Sequence, residues 1–312
     1  MASIDISVII PSRNNKAEIA EIIKRLSDQT RDIVLEYIIT DMNSTDGGVL
    51  DFLELVKERE LNGCVIQSGG TNVSAALNTG LYKANGRYVT FVFPSRFYKD
   101  YFNDYFEAAE KKGAEFIFAQ PPSADDGEPV IPEGILGTDI VVRLIKNSVS
   151  IDFTAVMLRR DFLIRNKLCF DENCTLGYAE AFIYSVLICN PVIGYADVQL
   201  EREKLSGEGG ASSPATNNCF DRLDAMVRVS SAAKDLHKDD GVLNDAFRYE
   251  KLPSIMMSCV DKLIDEGFNK TSIRNIIKSK GYDDYLSFSS YTSSDLRNKI
   301  LVWKYLPIVY KP

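Results

Sequence analysis

An alternation running through the first 120 residues constrains the fold most: apolar runs of strand length are each followed by a stretch with helical spacing. DISVII (5–10) ends at Pro11, and Ile19, Ile22, Ile23 and Leu26 then fall at i, i+3, i+4 and i+7, the stripe of an amphipathic helix. The unit recurs. IVLEYIIT (33–40) precedes a helix through Leu50, Leu53 and Val56, and GCVIQ (63–67) precedes one through Ala75, Leu77 and Leu81. RYVTFVF (87–93) precedes a helix over Tyr98 to Lys112, and EFIFA (115–119) closes the series. Strands separated by single helices need right-handed crossovers, so the pattern predicts an α/β fold with a mostly parallel sheet and helices on both faces.

At 312 residues the chain lies just past the size at which one hydrophobic core stops growing, which predicts a full-sized domain plus an appendage. PPSADDGEPVIPEG (121–134) has turn-forming composition and reads as an excursion from the sheet. Order returns with FTAVML, short helices near 160 and 180, and the strand-like VIGYADVQL (192–200). SGEGGASSPATNN (206–218) reads as a linker and the best domain boundary, separating a domain at 1–205 from a helical C-terminal region at 219–312. Helical periodicity covers 219–238, 241–267, 270–281 and 293–303 in that region.

Several function classes are disfavoured by composition. Lys and Arg total 36 against 44 Asp and Glu, and a net charge of -8 lacks the long-range attraction for phosphate backbones on which nucleic-acid binders depend. The N-terminal apolar run is short and has no basic residue before it, and no apolar stretch approaches ~20 residues, so a cytoplasmic protein is expected. The six cysteines form no CxxC pair, and His237 is the single histidine. Reduced and mostly buried thiols are therefore expected, with no zinc site or disulfide framework.

In an open parallel sheet, ligands bind outside the carboxyl ends of the strands. There the sequence places Pro11-Ser12-Arg13-Asn14-Asn15, Asp41 to Gly48, Gly70 to Gly80, and Phe93-Pro94-Ser95-Arg96. Polar, Gly-containing loops gathered on one edge suit a nucleotide or nucleotide sugar. Neither GxGxxG nor GxxxxGK[ST] occurs, which disfavours dinucleotide-binding and P-loop readings.

SVIIPSRNN, EYIITDMNSTDGG and SAALNTGLYKANGRYVTFVF, in that order and spacing, resemble the family 2 glycosyltransferases of the type-A, nucleotide-diphospho-sugar transferase-like fold, over roughly residues 5 to 200. The resemblance implies nucleotide-sugar-dependent, usually inverting sugar transfer, with a UDP-sugar as the expected donor. Carried over residue by residue, it implies a nucleotide site at Pro11, Ser12, Arg13, Asp41, Asn78, Phe93 and Ser95. Asp41 matches the acid that contacts the nucleoside base, whereas Ser12-Arg13-Asn14 stands where the family has Thr-Tyr-Asn, and Arg13 can stack on a base in place of the lost aromatic. Ala76-Leu77-Asn78 lacks the cation of the family's Ala-Arg-Asn.

Two departures bear on chemistry. The family's metal-holding Asp-x-Asp is here Phe93-Pro94-Ser95, followed by Arg96, so no divalent metal is expected. In FDENCTLGYAEAFIYSVL (170–187), aligned through Phe182, Ile183 and Tyr184, the family's Glu-Asp reads Glu180-Ala181, and the base Asp is missing. Inverting transfer needs a base for the acceptor hydroxyl and positive charge for the departing diphosphate. Arg96 is expected to supply the charge and Glu180, one position earlier, the base; the alternatives are a solvated Arg96 and a helix-N-terminal Glu180.

The resulting expectation is a glycosyltransferase acting on a glycan or lipid-linked acceptor in surface polysaccharide synthesis. The alternative is a catalytically silent relative that binds a nucleotide or glycan, or serves as a noncatalytic subunit. A sugar nucleotidyltransferase would need a Gly-rich loop that PSRNN does not supply. His237, Asn43 and Asp46 read as helix-end and turn groups, and Asp171-Glu172 as a surface pair near the acceptor side. The tail LRNKILVWKYLPIVYKP mixes Trp303, Tyr305 and Tyr310 with lysines, a composition compatible with peripheral contact at the inner membrane face, although packing onto the main domain is favoured.

Overall fold

The computed structural model describes residues 3–30, 32–121, 131–205 and 219–312. The expected alternation forms as β1 (Ile6–Ser12), α1 (Lys16–Gln29), β2 (Leu35–Asp41), α2 (Gly48–Glu58), β3 (Asn62–Gln67), α3 (Val73–Lys83) and β4 (Tyr88–Phe91). β5 (Phe97–Lys99), α4 (Phe102–Lys112), β6 (Phe116–Phe118), α5 (Gly137–Ile145), β7 (Val156–Arg159), α6 (Arg160–Arg165), α7 (Tyr178–Leu187), β8 (Ile193–Tyr195) and β9 (Glu201–Glu203) follow. The seven-stranded sheet has the order β3-β2-β1-β4-β7-β6-β8. β7 alone runs against its neighbours, so the sheet is mostly parallel, as expected.

Both faces are buried, which is why the strands read as continuous apolar runs rather than alternating ones. Ile9, Ile38, Val89, Phe91, Phe116, Phe118, Val156 and Leu158 enter one core; Val8, Ile10, Tyr37, Ile39, Tyr88, Ile117 and Met157 enter the other. Helices α1, α2 and α4 close the second face. On the first face α3 lies so close to β1 that a Cβ at Gly80 would sit 2.4 Å from Ile9 Cγ2, a distance only glycine permits.

Three local readings are corrected. Tyr98 and Lys99, expected in a helix, belong to the strand Phe97–Lys99 paired antiparallel with β9, and Asp100 (φ 57°) turns the chain before α4 begins at Phe102. In α2 the buried residue is Phe52, while Leu50 and Leu53 are exposed, because the helix rests on the sheet through the neighbouring stripe. Of VIGYADVQL only Ile193–Tyr195 pairs in the main sheet. Residues 206–218, expected as a linker, and most of 121–134 lie outside the described residues.

The helical region comprises α8 (Asp221–Leu236), α9 (Gly241–Ala246), a π turn at Phe247–Lys251, α10 (Leu252–Asp265), α11 (Lys270–Ser279) and α12 (Ser294–Tyr305). Its apolar stripes, including Met226, Ile255, Ile277, Ile300 and Trp303, continue the first core without a break. Trp303 and Tyr310 are buried with ring centroids 5.5 Å apart, whereas Tyr305, Leu306, Ile308 and Val309 face outward. No helix among the described residues is long and apolar enough to cross a membrane. Cys174, Cys219 and Cys259 are buried, Cys64 and Cys189 partly so, and Cys169 is exposed; all are free thiols.

Candidate active site

β1 and β2 end together, with Ser12 opposite Asp41 in register, so their loops leave the sheet at one level. Met42 N donates to Ser12 O at 2.8 Å, and Ser68 N donates to Asp41 O at 2.9 Å. The loops are then stitched by side chains. Asn14 N donates to Ser44 Oγ (3.0 Å), Thr45 N to Asn14 Oδ1 (2.8 Å), Lys16 N to Asp46 Oδ2 (2.9 Å) and Gly48 N to Asp46 Oδ1 (3.0 Å). Asn14 and Asn43 hold left-handed backbone, which asparagine tolerates better than most residues.

Pro11 and Ser12 are buried within β1. Asp41 is 1% exposed and forms the floor of this edge; its carboxylate accepts Ser44 N at 3.2 and 3.3 Å. Arg13 is half-buried, and among the described residues its guanidinium has no ion pair or hydrogen bond, which leaves it able to stack.

Asn78 faces a different neighbour. Its Oδ1 accepts Phe170 N (2.8 Å), and its Nδ2 donates to Phe170 O (3.0 Å) and Glu172 Oε1 (2.9 Å). The amide thus clamps the 170–172 segment over α3 and has both ends occupied. Asp171 of the same segment pairs with Arg228. His237 closes α8, with Nε2 2.6 Å from Ile188 O.

Beyond β4 the chain makes a tight turn over Phe93–Arg96, closed by Arg96 N donating to Phe93 O at 2.9 Å, with Pro94 at the position that fixed φ favours. Ser95 is exposed at the tip. Pairing of β5 with β9 sets Tyr98 opposite Arg202 and so brings a second cation to Arg96. Both guanidiniums approach Asp152, at 3.2 Å from Arg96 and 3.6 Å from Arg202. Asp152 is buried, takes Tyr98 OH at 2.7 Å, and caps the short turn Phe153–Ala155 by accepting Thr154 N (3.0 Å) and Thr154 Oγ1 (2.9 Å). Two cations therefore share one carboxylate.

The turn borders a cleft of about 1200 Å³ between the sheet and the helical region. Phe93, Phe153, Tyr178 and Tyr184 line it, and Phe153 is backed by the buried ring of Phe91, stacked on it at 4.8 Å. Glu180, in the first turn of α7, lines this cleft and accepts Arg222 Nε at 2.7 Å, Arg222 Nη2 at 3.1 Å, and Lys251 Nζ. Burial pushes the Glu180 pKa up, but the Arg222 hydrogen bonds and the Lys251 charge outweigh it and hold the carboxyl below the ordinary glutamate range. Burial holds the Lys251 ammonium below the ordinary lysine value despite Glu180. A carboxylate clasped in this way is a weaker proton acceptor than a free one.

Carboxylates that could hold a divalent ion are absent from the Phe93–Arg96 turn, and Asp152, which does lie beside it, is occupied by Arg96, Arg202, Tyr98 and Thr154. The donor set does not fit a metal, and among the described residues no group of three or more His, Cys, Asp or Glu is arranged to take one. Sequence reasoning missed Asp152, Arg202, Arg222 and Lys251. Asp-x-Thr at 152–154 is a legible capping signal, but the other three reach the site only through tertiary packing.

This architecture, a mostly parallel sheet with polar loops gathered at one edge and a cleft against the helical region, is the type-A glycosyltransferase fold. The sequence signature of Glycosyl transferase family 2 matches residues 7–164, and the chain belongs to that family. S. aureus TarS residues 1–349 in complex with UDP is similar at 16% identity, covering 96% of this chain and 87% of that chain with a TM-score of 0.63. The same fragment with UDP-GlcNAc gives 16%, 96%, 81% and 0.60. A mannosyltransferase, PcManGT from Pyrobaculum calidifontis in complex with GDP-Man and Mn2+, gives 14%, 98%, 86% and 0.50. A search of curated proteins by sequence finds no match.

Proposed function

We propose that the chain transfers a sugar from a nucleotide-diphosphate sugar to a glycan or lipid-linked acceptor, as in the building of surface polysaccharide at the cytoplasmic face of a membrane. UDP is the nucleotide of choice because the TarS structures hold UDP and UDP-GlcNAc. The observation that carries this reading is the sharing of Asp152 by Arg96 and Arg202 beside the turn after β4. Two guanidiniums against one carboxylate leave one uncompensated positive charge, beside the position that this reading gives the diphosphate. Guanidinium pairs bidentately with phosphate oxygens, so the pair can bind the donor and stabilise the departing nucleotide with no metal.

A second reading, a silent relative that binds donor without turning it over, is favoured by one specific observation: Glu180 is clasped by both Arg222 and Lys251. The two part on turnover. Calorimetric titration with UDP and UDP-sugars, followed by measurement of UDP released with and without added glycan, tests both. Binding with release supports the transferase, binding alone the silent relative, and no binding removes both.

A further inference from the structure

We infer that the helical wall of the cleft is a binding site for a phosphate-bearing acceptor, held by Arg222, Lys251 and Lys262 with the hydroxyls of Ser254 and Ser258. This inference rests on the reading above for the cleft's role in taking acceptor; its chemistry rests on the residues themselves.

Lys251, the last residue of the π turn, and Ser254, Ser258 and Lys262 of α10 follow one another at intervals of three, four and four residues, which places them on one line of the continuous helix, and all four border the cleft. The line contains no acid: Asp261, also on α10, pairs with Lys299 instead. Cations thus stand at both ends of a stretch of roughly 16 Å, with the exposed Ser254 and Ser258 between them; the Ser258 hydroxyl donates to Ser254 O at 3.0 Å, a bond that a rotatable hydroxyl can exchange for a phosphate oxygen. A single carboxylate would engage one end, whereas two phosphates or a phosphodiester chain would engage both. The π turn Phe247–Lys251 immediately precedes this line, and such turns insert one extra residue, setting which side chain enters the next helix facing the cleft.

Arg222 completes the wall from α8. It crosses the N-terminus of α7 over Gly177, where a Cβ would meet Arg222 Cγ at 2.6 Å. Glu180 is the carboxylate it shares with Lys251, and Glu250, the other acid on this wall, already accepts Ser293 N and Oγ at 2.7 Å. Lys262 has only Glu266, at 3.8 Å. Among the described residues five cations and three carboxylates line the cleft; Arg96, Arg202 and Asp152 stand beside the turn after β4, which leaves Arg222, Lys251 and Lys262 against Glu180 and Glu250 on the helical wall, an excess of one positive charge in a chain whose net charge is -8. Positive charge gathered in a cleft of an acidic chain marks an anionic ligand.

The test uses sodium tripolyphosphate as probe in an Arg96→Ala background, so that its result does not depend on the donor site. Tripolyphosphate is expected to bind with an affinity that falls as salt rises, and Lys262→Glu or Ser258→Glu is expected to weaken it at least tenfold. Ser258 is exposed and the half-buried Lys262 keeps 40% of its side chain in solvent, so unchanged melting temperatures accompany the loss. With Arg96 intact, Lys262→Glu leaves UDP binding unchanged. Vesicles containing phosphatidylglycerol separate the sources: binding abolished by the same substitutions assigns the phosphate to a lipid, and tripolyphosphate binding without vesicle binding assigns it to a glycan. Absence of tripolyphosphate binding, or binding indifferent to both substitutions, overturns the inference. Loss of UDP binding in Lys262→Glu also overturns it, by returning this wall to the donor site.

Discussion

Arg222 reaches Glu180 across Gly177, whose left-handed backbone (φ 81°) leaves empty the space that the arginine stem fills. The glycine, the cation and the acid come from the turn before α7, from α8 and from α7, so this contact joins α7 to the helical region beside the cleft. Gly177→Ala is expected to cost about 1–2 kcal/mol through the left-handed conformation alone, with further loss from displacing Arg222. Chemical denaturation of the variant checks the figure, and Gly177→Asn, which tolerates the backbone but not the contact, separates the two contributions.

Glu180→Gln is expected to lower stability by about 1–2 kcal/mol near neutral pH, less than a fully buried pair because Arg222 is 40% exposed. The folded pKa of Glu180 lies below its ordinary value, so its contribution is complete above that value and is lost as pH falls through the folded one. The difference between wild type and Glu180→Gln should therefore close in acid. Denaturation midpoints measured across the acid range show either that convergence or a constant gap, which would mean that the carboxylate is not ion-paired.

The alternation from β1 to α3 was legible because each strand is buried on both faces and each crossover is a single amphipathic helix. Phe97–Lys99 was not, since three residues carry no period and their partner lies a hundred residues away at Glu201–Glu203. The same distance hid half of the site. Ser12, Asp41 and Arg96 follow strands in sequence and could be placed on the sheet edge, whereas Arg202 and Arg222 acquire meaning only when β9 and α8 fold back. Asn78 shows the converse: its position matched a motif, but its amide holds Phe170 and Glu172.

Asp41→Asn keeps the shape of the side chain and removes its charge. If the nucleoside lies on the β1–β2 edge, affinity for UDP should fall by about 1–3 kcal/mol. Calorimetry gives the value directly, and unchanged affinity would move the nucleotide away from this edge.

The C-terminal tail has two faces with separable roles. Trp303→Ala should destabilise the chain by about 3–5 kcal/mol, because the indole is buried against Tyr310. Ile308→Asp combined with Val309→Asp should leave the melting temperature unchanged, since both side chains point outward. If that exposed face touches membrane, the double substitution abolishes sedimentation with anionic liposomes, and retention of binding would place the contact elsewhere.

Metal independence of donor binding tests the Arg96–Arg202 reading most directly. A nucleotide diphosphate brings about two negative charges, and on the proposed reading Arg96 and Arg202, beside Asp152 at the turn after β4, would meet them in place of an ion held by carboxylates. The decisive measurement is calorimetric titration with UDP in EDTA, then in manganese, for the wild type and for Arg96→Ala. The expected result is one affinity for the wild type in both buffers and a clear loss on Arg96→Ala. A sharp gain with manganese in the wild type, or full affinity without Arg96, would contradict it.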